Sequence, residues 1–182
     1  MIDPTRIPDP DFGGCMFELK PLSVDSIPRA LEKAERYRLL NEPAEAESIC
    51  QDVLRIEPTN QQALVMLILA LTDQFDDGIS GIHAEAREVV SRLRDPYERV
   101  YYAGIIAERR GKSLLRGGGP GASTAGHESI RDAMDLYAEA EALRPSGNDD
   151  SLLRWNACAR LLMRDHADLP AAVGERFDPL LE

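Results

Sequence analysis

The sequence predicts an all-α fold built as an array of helix pairs. Three observations carry this. Apolar and small residues recur at the helical period from Ile27 to Arg164. Small residues, Ala34, Ala46, Ala86, Gly104 and Ala133, fall where two helices would cross. Prolines at 58, 96 and 145 close successive units. A single pair cannot bury its apolar face, so neighbours must stack on it. An aromatic content of 5 % suits alanine-rich helix stacking better than a β-sandwich.

Residues 1–26 predict an extended arm. Prolines at 4, 8 and 10 prevent regular structure at its start. Cys15, Phe17 and Leu19 then alternate with Met16, Glu18 and Lys20, the strand period. Such an arm packs on the first hairpin, or fills a groove of its own or a second molecule. The repeat domain follows over 27–164. Its first helix takes Ser26 as N-cap and Pro28 in the first turn, where a missing N–H is harmless. Ala30, Leu31, Ala34, Tyr37 and Leu40 mark its apolar side, and Asn41 can take the left-handed conformation that ends it. The second helix starts at Pro43, carries Ala46, Ile49, Cys50, Val53 and Leu54 on one face, and stops before Pro58.

This hairpin resembles a tetratricopeptide repeat, a helix–turn–helix unit of about 34 residues patterned W-x2-L-G-x2-Y, then A-x3-F, then P. The pattern falls on Ala30, Lys33, Ala34, Tyr37, Ala46, Cys50 and Pro58, so the family's tryptophan and leucine are absent. The likeness continues along the chain. Leu64, Leu67, Ile68 and Leu71 repeat the first helix, with Ile68 in place of a small residue. Ala86, Val90 and Leu93 repeat the second, delayed by the turn around DDGISG. Val100, Ala103, Gly104 and Ala107 begin a third unit whose helix ends at Gly111. Ala133, Tyr137, Ala140 and Pro145 complete that unit. Leu152, Leu153, Trp155, Ala157, Leu161 and Leu162 form a fourth first helix, with Trp155 in the terminal core. The resemblance implies a right-handed α-solenoid of about three and a half repeats.

Residues 112–127 interrupt the array. The run GGGPGASTAG predicts a mobile loop rather than helix. Gly111, Lys112 and Ser113 spell GKS, but a phosphate cradle needs glycine at position 106, which is Ile106. Nucleotide binding is excluded. Arg109, Arg110, Lys112 and Arg116 are expected to complement a helix C-terminus, the alternative being an acidic patch on a partner. Residues 165–182 form a capping segment in which Leu169, Val173 and Phe177 keep near-helical spacing.

The formal net charge of −11 argues against nucleic acid and anionic membrane surfaces. Gly13 to Cys15 lacks the basic and apolar runs of a lipoprotein signal, and no apolar run is long enough to span a bilayer. A soluble cytoplasmic protein is expected. The three cysteines form neither a disulfide framework nor a metal spacing, and His83, His127 and His166 are scattered. No cofactor or metal is expected. A Cys158–His166 nucleophile pair lacks a third orienting group, so the chain is not expected to be an enzyme.

In the tetratricopeptide family the first helices line a concave groove. Carried onto this chain, the lining residues are Leu31, Glu35 and Arg38, then Val65, Leu69 and Thr72, then Tyr101, Ile105 and Glu108. Leu31, Val65, Leu69, Tyr101 and Ile105 would make an apolar stripe fit for an amphipathic helix or an extended peptide. The other reading is that this stripe packs internally. A protein-binding module is therefore expected, partnered by another protein. A chaperone-like holder of an export substrate, a scaffold subunit and a homo-oligomer are the alternatives, and a cysteine-dependent enzyme is a remote one.

Overall fold

A computed structural model describes residues 17–167. Among them are seven α-helices and no strand: α1 Ile27–Leu39, α2 Pro43–Ile56, α3 Gln61–Asp73, α4 Ile82–Ser91, α5 Pro96–Gly117, α6 Ala122–Leu143 and α7 Asp150–Ala167. Each helix packs against the next. In addition α1 touches α3, and α3 touches α5.

The local signals explain the starts and stops. Pro43 and Pro96 open α2 and α5. There the missing proline N–H is one that no helix could use. The carboxamide of Asn60 accepts from the Ala63 amide, and the carboxylate of Asp95 accepts from the Tyr97 amide, at 2.9 Å each. Asn41 has φ +61° and turns the chain between α1 and α2. The side chain of Ser26 does not cap α1. Its hydroxyl donates back to the Ser23 carbonyl at 2.7 Å. Pro96 belongs to the opening of α5 and does not close α4, which ends at Ser91.

The crossing residues are buried as their size requires. Ala34, Ala46, Ala86 and Ala133 have no exposed surface. One apolar cluster runs through α1 to α4 and includes Ile106. A second joins Ile105, Ile130, Ala133, Tyr137 and Cys158. Leu40 departs from its expected place and is exposed. Residues 17–22 form no strand. Phe17 and Leu19 are exposed, and only Leu22 packs against the first cluster. Residues 1–16 of the expected arm, with Cys15, lie outside the described residues, as does most of the capping segment, while Val24–Ser26 form a short 3-10 turn.

The glycine-rich interruption is much shorter than expected. Helix runs to Gly117 and resumes at Ala122, leaving only residues 118–121 between α5 and α6. Gly111 does not end its helix. A Cβ there would lie 2.8 Å from the Gly126 carbonyl oxygen and from Ile130. A Cβ on Gly126 would lie 2.7 Å from Leu115. These two glycines let two long helices touch, backbone to backbone.

Candidate functional site

The expected groove residues come from α1, α3 and α5, and the structure divides them into two groups. Leu31, at 3 % exposure, and Ile105, at 1 %, are core residues and line no groove. Thr72 and Glu108 are buried as well. Val65, Leu69 and Tyr101 are half-buried, Arg38 is half-buried, and Glu35 is exposed. The continuous apolar stripe is thus corrected to three partly open side chains, because the positions beside them turn inward against α2 and α6.

The same three helices share a polar network. On α1, Arg38 Nε donates to Asp73 Oδ2 at 2.8 Å, while its other end approaches the Met66 sulfur. On α5, Arg109 reaches across to the other oxygen of the same carboxylate. Arg109 also donates to Thr72 Oγ1 at 2.8 Å and to the Leu69 carbonyl at 3.2 Å. Asp73 at the end of α3 therefore ties α1 to α5. Arg116 Nη2 donates to Asp76 at 2.6 Å just beyond. The cations at 109, 112 and 116 bind carboxylates across helices or one turn back, where the sequence had predicted a dipole effect at a helix end.

A second network centres on Glu108. It is 1 % exposed, yet charged. Tyr137 Oη donates to its Oε2 at 2.6 Å, Lys112 pairs with its Oε1, and Arg154 Nη1 stands 3.4 Å from that same oxygen. Burial pushes the carboxyl upward, but the hydrogen bonds from Lys112 and Tyr137, with the charges of Lys112 and Arg154, outweigh it and hold it below its ordinary value. Burial and the adjacent carboxylate push the Tyr137 hydroxyl upward, so it stays a donor. Tyr101 sits beside this network, 5.9 Å from the Tyr137 ring centroid.

Sequence reasoning placed Glu108 on the groove wall and missed Tyr137 and Arg154 as its partners. The Glu108–Lys112 spacing of four residues was the available signal. Nothing in the sequence ties Arg154 to it across 46 residues.

Two buried thiols lie beside charges of these networks, Cys50 near Arg38 and Cys158 near Glu108, Lys112 and Arg154. Burial raises both Cys50 and Cys158 to about 12. A thiol held there is a poor nucleophile at neutral pH. The side chain of His166 lies outside the described residues. Among the described residues no helix is long and apolar enough to cross a membrane. No family model, curated protein or solved structure matches the chain.

Proposed function

We propose that the chain is a non-catalytic interaction module, a right-handed solenoid of tetratricopeptide-like repeats. It takes a peptide or amphipathic helix of another protein along α1, α3 and α5. The observation that carries this is that α3 and α5 hold Val65, Leu69 and Tyr101 half-buried, while Arg38 and Arg109 join α1, α3 and α5 through Asp73. Half-buried apolar side chains offer a place for apolar anchors, and the arginines fix the walls in which those anchors sit. The contacts of α1 with α3 and of α3 with α5 support a row of first helices. The high thiol values support a binding role over a thiol-dependent one.

Affinity capture from the native cell extract tests this, with the intact chain beside a Val65→Lys, Leu69→Lys double variant. Both are half-buried, so the variant can keep its fold, which circular dichroism checks. A partner recovered only by the intact chain is the expected result. A partner held equally by both would refute the groove as the binding site.

A further inference from the structure

A different surface, at the α7 side of the chain, is left open. Helices α1, α3 and α5 are each followed by a helix packed on them. No described helix follows α7. Its face against α6 leaves an open recess of about 450 Å³ lined by Arg131, Met134, Trp155, Ala159, Leu162 and Met163. Trp155 is 38 % exposed and Met163 69 %. Trp155 is therefore not enclosed in a terminal core as its spacing had predicted.

We infer that residues 168–182 fold back over this α6–α7 face and cover Trp155 and Met163 in the same molecule. The segment follows α7 directly, so its effective concentration at the recess is high. It spans 15 residues, 168 to 182. Even fully helical it reaches about 22 Å, against about 12 Å from Trp155 to Met163 along α7. Leu169, Val173 and Phe177 recur every four residues and make one apolar stripe of matching chemistry. Charge agrees. The segment carries Asp168, Glu175, Asp178 and Glu182 against a single Arg176. The recess has one charged lining residue, the exposed Arg131. This takes the place that a second helix of the last pair would hold.

Trp155 is the chain's only tryptophan, so its emission reports on this face alone. In the intact chain it is expected to emit in the blue and to resist acrylamide, equally at low and high protein concentration. The Val173→Asp, Phe177→Asp variant is expected to shift the emission to the red and raise the quenching constant, with far-UV circular dichroism kept. Identical emission and quenching in both proteins would overturn the proposal. So would shielding that grows with concentration, which would assign the face to a second copy of the chain. Hydroxyl-radical footprinting of the wild-type monomer needs no variant. Protection of Trp155 and Met163 supports the cover, and free oxidation of both removes it.

Discussion

Gly104 is the most informative single position in the α5–α6 pair. A Cβ added there would lie 2.6 Å from Tyr137 Cε1 and 2.9 Å from Cδ1, closer than any carbon pair tolerates. Gly104→Ala must therefore push the Tyr137 ring away from α5. That ring is fully buried and its hydroxyl holds the Glu108 carboxylate. Overpacking of a filled core costs about 1–3 kcal/mol. Losing a buried hydrogen bond to a charged group costs about 1.5–3 kcal/mol. Alanine returns about 1 kcal/mol in helix propensity. The net loss is about 1.5–5 kcal/mol, which at this chain length lowers Tm by about 3–20 °C. Gly117→Ala is the control. It lies in the last turn of the same helix, and nothing stands within 4 Å of its Cβ. It gains propensity with no clash and should melt at or slightly above the wild-type temperature. Thermal unfolding followed at 222 nm and by Trp155 emission measures both. A Gly104→Ala protein as stable as Gly117→Ala would refute the packing argument.

Gly111→Ala should destabilise as well, since the obstacle is partly the Gly126 backbone carbonyl, which cannot rotate aside; its Tm should fall below wild type in the same scan. The folded-state depression of Glu108 makes its stabilisation present at neutral pH. That contribution fades as pH drops from about 4.5, the ordinary value, through the lower folded value. Glu108→Gln should therefore be less stable at pH 7 and flatten the acid side of the Tm profile; an unchanged acid slope would contradict this. Cys50 and Cys158 have no exposed surface and thiols raised to about 12. Native labelling mapped by mass spectrometry should leave both unmodified until denaturant is added, and fast labelling of Cys158 would reopen a catalytic reading.

How legible the chain is depends on what each residue signals locally. Pro28, Asn41 and Pro43 act through their own backbone, so α1, α2 and the turn between them are visible in the sequence, as are Ala34 and Ala46 at the crossing. Gly111 and Gly126 are different. Glycine marks either a loop or a close helix approach, and only the partner decides which. In the sequence Gly111 reads as a helix end and Gly126 as part of a loop, which erased the end of α5 and the start of α6. The facing of the expected groove positions was half legible. Successive residues on a helix turn by about 100°, so a small error in the facing of α5 or α1 exchanges Ile105 or Leu31 between core and surface. Glu108 was the hardest. A glutamate signals solvent by default, and its burial depends on Tyr137 and Arg154, which arrive from two other helices.

Helix α5 also has a mechanical consequence. Ile105 belongs to one apolar cluster and its neighbour Ile106 to the other. One rigid rod of 22 residues thus serves both halves of the molecule. The half beyond it rests on far fewer enclosed side chains than the half before it. Under thermal agitation or pulling force, α7 is the element that peels off first, while α6 stays packed along α5. Amide exchange should therefore be fastest in α7 and slowest in α3.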